Sequence, residues 1–187
     1  YRTLVYLDFL TAKARYSTEN KWIRPRHNAN ELKIIDGRHP LLLEQKKIDV
    51  VPISVKNGSG FRILVITGPN TGGKTITLKT IGLISLLFQS GMFVPAEIGT
   101  ELPVYISIFA DIGDEQSLEQ NLSTFSGHLK NIKDALEHCD KDSLVLLDEL
   151  GAGTDPTEGG AIGCGILEYL EKKKAMVFAT THLNSIK

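Results

Sequence analysis

The apolar positions change their period repeatedly along the chain. At the start, Leu4, Leu7, Leu10 or Thr11 and Ala14 recur at helical spacing, which predicts a helix. Pro25 is expected to end it, because the residue before a proline avoids helical angles. From Leu32 the pattern breaks into short apolar runs. Leu32–Ile35, Leu41–Leu43 and Ile53–Val55 are predicted strands, with Asp36-Gly37 and Asn57-Gly58 as turns. Phe61–Thr67 is apolar almost throughout, as in a strand of a buried parallel sheet. Helices are predicted at Thr75–Phe88, Ser123–His138 and Gly159–Lys172. Strands are predicted between and after them at Ile106–Asp111, Leu144–Leu147 and Ala175–Thr180. This alternation predicts an α/β layered fold around a mainly parallel sheet.

Composition narrows the class. At 187 residues the chain has room for one domain with an appendage at most. No apolar run approaches the roughly 20 residues of a membrane helix, and the start, Tyr-Arg-Thr-Leu-Val, is not a signal peptide. A soluble, cytoplasmic setting without membrane partners is therefore expected. Because the chain begins at Tyr1, it reads as an excerpt of a longer protein. The formal net charge is -1, but it is unevenly spread. Residues 1–60 carry 11 Lys/Arg and 6 Asp/Glu, a balance of +5, and residues 61–187 carry 10 and 16, a balance of -6. A basic arm thus precedes an acidic body. The arm fits a solvated surface as well as it fits a phosphate-binding patch. Cys139 and Cys164 form no CxxC pair and read as reduced thiols.

The clearest chemistry lies in Gly68-Pro69-Asn70-Thr71-Gly72-Gly73-Lys74-Thr75. It fits G-x-x-x-x-G-K-[ST], with a strand leading in and a helix leading out. Glycines let the backbone curl so that successive N–H groups face phosphate oxygens. The helix N-terminus adds its positive end. Lys74 supplies a mobile charge to the terminal phosphates, and the Thr75 hydroxyl completes a Mg²⁺ shell. Thr77, in the first turn of the helix, completes the binding set. The expected ligands are ATP or ADP with Mg²⁺.

A second acidic site ends the apolar strand Leu144–Leu147 in Asp148-Glu149. Placed beside the phosphate-loop strand, this strand would bring Asp148 to the Mg²⁺ and Glu149 to a water attacking the γ-phosphate. Asp directly followed by Glu resembles the ATP-binding-cassette type. A signalling GTPase would carry Asn-Lys-x-Asp downstream, and a small-molecule kinase a basic lid; neither pattern follows here. Val177–Thr181 is a strand run leading to His182, which reads as a γ-phosphate contact.

Taken in order, the motifs resemble the MutS family. Gly68–Thr75 is similar to that family's Gly-Pro-Asn-x-Gly-Gly-Lys-[ST]. Gly37-Arg38-His39-Pro40-Leu41-Leu42 is similar to its Arg-His-Pro segment, and the stretch from Ile112 to Phe125, with Ser123-Thr124-Phe125, to its signature segment. Asp148–Pro156 is similar to its acidic strand end and following loop. Gly151-Ala152-Gly153-Thr154-Asp155, in place of Gly-Arg-Gly-Thr-Ser, is closer to the family's second bacterial branch, which lacks a mismatch-reading domain. Transporter cassettes carry Leu-Ser-Gly-Gly-Gln where this chain has Leu122-Ser123-Thr124-Phe125.

The resemblance implies a three-layer phosphate-loop NTPase of the ATP-binding-cassette type. Residues 1–30 would be the helical stub of a lever, and 31–187 an ATPase domain truncated at its C-terminus. Two such domains would meet head to tail in a homodimer, with Ser123 capping the γ-phosphate of the partner copy from the start of its helix. Asn70 would sense the phosphate, and Ile48–Val51 would flank the base. Nucleotide-driven clamping of branched DNA or recombination intermediates, through parts not in this chain, and suppression of recombination would follow. Any nuclease activity would lie outside these residues. A ribosome-associated quality-control role in the same family stays open, and a transporter motor fits less well.

Overall fold

The computed structural model describes residues 1–45, 49–69, 72–113, 121–183 and 186, with backbone only for 121–127. In chain order the elements are α1 (Arg2–Glu19), β1 (Arg26–His27), β2 (Leu32–Gly37), α2 (Pro40–Glu44), β3 (Ile53–Asn57), β4 (Ile63–Thr67), α3 (Lys74–Gln89), β5 (Glu101–Leu102), β6 (Ser107–Asp111), α4 (Asn121–His138), β7 (Ser143–Leu147), α5 (Pro156–Lys173) and β8 (Met176–Thr181). They form two units, Tyr1–Lys56 with Thr80–Val104, and Asn57–Lys79 with Tyr105–Lys187.

In the first unit, α1 stops at Glu19 rather than at Pro25. The Asn20 side-chain amide donates to the Tyr16 carbonyl at 2.9 Å, and Lys21 turns into the left-handed region at φ 55°. The reversal sets Trp22 edge-on to Tyr16, with ring centroids 5.1 Å apart. Most of the apolar residues of α1, among them Leu4, Val5, Leu7 and Phe9, are exposed. The unit's sheet runs β1-β5-β2-β3, with β5 parallel to β1 and antiparallel to β2. The predicted strand Leu41–Leu43 is instead part of helix α2. His39 precedes it as N-cap, its Nδ1 accepting the Leu42 amide at 3.3 Å, and Pro40 opens the helix. These local start signals outweigh a three-residue apolar run. Asp36-Gly37 is likewise no turn between strands but the end of β2. There Asp36 sits at φ 45°, its amide donating to Ser54 Oγ and that hydroxyl donating back to the Asp36 carboxylate, each at 2.9 Å. The turn predicted at Asn57-Gly58 is present: the Gly58 amide donates to the Phe61 carbonyl at 2.8 Å.

The second unit is built on a four-stranded sheet in the order β4-β8-β7-β6, parallel at every pairing. The acidic strand β7 therefore does not lie beside the phosphate-loop strand β4: β8 stands between them. All six residues of β8 and all five of β7 are buried, so both suit central positions with covered faces. Successive side chains point to opposite faces. Val145, Leu147, Val177 and Ala179 pack with Ala135 of α4 and Ile166 and Leu170 of α5, while Leu144, Leu146, Met176 and Phe178 are buried as well. Cys139 belongs to the same core, and burial pushes its thiol above the ordinary range, leaving little reactive thiolate.

Two helix starts differ from expectation. α4 spans Asn121–His138 among the described residues, so Ser123 lies inside the helix and is not its N-cap. α5 begins at Pro156 rather than Gly159, because Asp155 caps it, its carboxylate accepting the Thr157 and Glu158 amides at 2.9 and 3.3 Å. No helix among the described residues is long and apolar enough to cross a membrane.

Candidate nucleotide site

The strand register of the second unit brings the separate motifs to one sheet edge. Thr67, the last residue of β4, pairs with Thr181 of β8. Leu147, the last residue of β7, pairs with Ala179 of β8 and with Asp111 of β6. The residues that follow, Gly68, His182 and Asp148, therefore all leave the C-terminal edge, where open parallel sheets hold their ligands.

At the first of these ends the chain curls back. The Gly72 amide donates to the Pro69 carbonyl at 2.9 Å. Gly68 and Gly73 hold φ values of 148° and 76°, which side chains other than glycine's rarely adopt. A Cβ at either would meet nothing within 4 Å among the described residues. Lys74 is 6% exposed, and its Nζ donates to the Gly68 carbonyl at 2.6 Å. Thr75 is half-buried. The Thr77 hydroxyl donates to the Gly73 carbonyl at 3.0 Å, fastening the first turn of α3. Asn70 and Thr71 lie outside the described residues, as do the side chain of Ser123 and residue Ile48 of the segment expected at the base; Val51 of that segment is exposed.

The acidic end is held from β8. Asp148 is 8% exposed, and its carboxylate accepts the Thr180 hydroxyl at 2.5 Å. The same oxygen of Thr180 accepts the Glu149 amide at 2.8 Å. Glu149 sits in the left-handed region at φ 50°, a conformation that costs a non-glycine residue about 1–2 kcal/mol. The Thr181 hydroxyl donates to the Leu150 carbonyl at 2.9 Å, and His182, one residue on, is exposed.

Sequence reasoning missed two parts of this edge. One is Thr180, whose only trace is its place two residues before His182. The other is Asp111, a strand-end carboxylate that is 4% exposed. Its oxygens face His128 Nδ1 at 2.9 Å and accept the Asn131 amide at 3.0 Å, both from α4. Its carbonyl accepts the Asp148 amide at 2.8 Å. Asp111→Ala removes the anchor of α4 on β6 and is expected to lower the unfolding free energy by about 1–3 kcal/mol, read from a urea transition.

A parallel α/β sheet with a glycine-rich phosphate loop at one strand end and an acidic pair two strands away defines a phosphate-loop α/β domain. The family model for MutS domain V matches residues 64–187, and the chain belongs to the MutS family. It is 53% identical over 182 residues to the Endonuclease MutS2 of Clostridium botulinum (strain Loch Maree / Type A3), covering 97% of this chain. It is 54% identical over 182 residues to the protein of that name from Acetivibrio thermocellus, and 55% over 185 residues to that from Shouchella clausii (strain KSM-K16), covering 97% and 98% of this chain. The chain spans 23% of the length of each of these relatives.

Proposed function

We propose that this domain binds ATP with Mg²⁺ and hydrolyses it, and that the full-length protein uses the cycle to clamp and release a nucleic-acid structure. The observation that supports the ATPase reading is the strand register, by which Gly68 at the start of the phosphate loop, Asp148-Glu149 and His182 leave the same sheet edge. Lys74 and the loop amides would bind the terminal phosphates. Thr75 and Asp148 would hold the Mg²⁺, a donor set of one hydroxyl and one carboxylate that suits a cation retaining waters and phosphate ligands. The metal supplies charge neutralisation at the phosphates. Glu149 would take the proton from the attacking water, and His182 would contact the γ-phosphate.

The finer architecture belongs to the same reading: a three-layer, cassette-type domain that pairs head to tail, so that Ser123 of one copy closes the site of the other. Loss of the γ-phosphate would then release the pair and move the attached segments. The relatives carry the name endonuclease, and we assign DNA contacts and any nuclease chemistry to segments beyond these 187 residues. Suppression of recombination is the role we propose for the whole protein.

Lys74→Ala tests the reading. ATP affinity, followed with a fluorescent ATP analogue, is expected to fall at least about tenfold with the loss of a charged phosphate contact, and turnover with it. Unchanged affinity would show that the loop does not bind the phosphates. Specific activity of the unsubstituted protein is expected to rise with protein concentration if the site is shared between copies.

A further inference from the structure

We propose that Thr180 is the positioning residue of the acidic pair, setting the carboxylate of Asp148 and the backbone of Glu149 with a single hydroxyl. This rests on the ATPase reading above and adds a residue to it. Thr180 is fully buried in β8, the strand that separates β4 from β7. A threonine hydroxyl has one proton to donate and lone pairs to accept with. Here the proton goes to Asp148 Oδ1 at 2.5 Å, so a lone pair is left for the Glu149 amide, which donates at 2.8 Å. The Thr180 carbonyl accepts a third bond, from the Leu150 amide at 2.8 Å. Three successive residues of the acidic loop are thereby tied to one residue of the neighbouring strand.

Each bond has a separate consequence. Donation to Oδ1 fixes the rotation of the Asp148 carboxylate, and with it the direction from which a cation or its water can be met. A ligand oriented by an outer hydrogen bond binds its metal more tightly than a free one. Acceptance from the Glu149 amide holds that residue at φ 50°, against its own preference. The Thr181 hydroxyl donates to the Leu150 carbonyl at 2.9 Å and touches neither acidic residue among the described contacts. Neighbouring threonines in one strand thus separate a positioning role from a packing role.

The test compares Thr180→Val, Thr180→Ser and Thr181→Val in the full-length chain. Valine keeps the shape of threonine without its hydroxyl, and serine keeps the hydroxyl. Thr180→Val is expected to raise the Mg²⁺ concentration for half-maximal turnover about tenfold and lower kcat about 10–100-fold, as loss of an outer-sphere partner does. Affinity for a fluorescent ATP analogue without Mg²⁺ should stay within about twofold, while its enhancement by Mg²⁺ weakens. Thr180→Ser should restore both Mg²⁺ readouts, and Thr181→Val should lower the melting temperature without moving either. Where Thr180→Val does not fold, Thr180→Cys, a weaker donor of similar size, should shift the same readouts in the same direction. A folded Thr180→Val or Thr180→Cys with wild-type Mg²⁺ dependence of both turnover and nucleotide binding overturns the proposal. Absence of ATP hydrolysis in the unsubstituted protein would instead overturn the ATPase reading, and the Mg²⁺ dependence of nucleotide binding would still decide the role of Thr180.

Discussion

Glu149→Gln is expected to lower ATP turnover by about 10²–10⁴-fold, the range for removing a positioned general base, while ATP affinity stays within about threefold. Several observations make this the sharpest substitution. Glutamine matches glutamate in shape, so the residue can keep its place at φ 50° and its amide bond to Thr180. What it loses is the ability to accept a proton. The groups proposed to bind phosphate lie elsewhere, at Gly68–Thr75 at the end of β4. Binding and hydrolysis should therefore separate cleanly. Single-turnover hydrolysis with excess protein, beside an equilibrium titration with ATP, gives both numbers. Turnover by Glu149→Gln at the wild-type rate would remove Glu149 from the role of base.

How far the sequence could be read depends on where each element takes its instructions. The parallel strands were legible because burial on both faces writes an unbroken apolar run, as in Leu144–Leu147 and Val177–Ala179. The phosphate loop was legible because its backbone needs particular residue types at fixed spacing. The order of strands was not. Nothing local in Leu144–Leu147 tells whether β4 or β8 lies beside it, and that neighbour decides which residue meets Asp148. Thr180 was overlooked for this reason: its role exists only once β8 stands between β4 and β7. The misreadings in the first unit are of another kind. At Leu41–Leu43 the capping residues His39 and Pro40 carried more information than the apolar run. At α1 the helix ends where Lys21 turns left-handed, several residues before the proline that was expected to stop it. Strands of two residues, as β1 and β5 are, carry too short a pattern to show in the sequence at all.

Glycine spacing in α5 separates packing from propensity. Gly159→Ala is expected to destabilise the chain by about 1–3 kcal/mol, the cost of forcing atoms into a filled space. A Cβ at Gly159 would lie 2.0 Å from the Gly151 carbonyl oxygen and 3.1 Å from its carbon, and these are backbone atoms that no rotamer change can move. Gly151 is itself at φ 84°, and its own Cβ would lie 2.6 Å from the Gly159 carbonyl oxygen. The two glycines thus let the loop after Glu149 rest directly on the first turns of α5. Pushing them apart displaces that loop, so Gly159→Ala should lower turnover as well as the melting temperature. Gly165→Ala, six residues on in the same helix, is the contrasting case. Nothing lies within 4 Å of a Cβ there, the residue is exposed, and alanine is the better helix former by about 0.8–1.0 kcal/mol. Gly165→Ala should therefore raise the melting temperature and leave turnover alone. Equal effects of the two substitutions on urea unfolding would mean that helix propensity governs both sites and that the loop is not seated on α5 through Gly151 and Gly159.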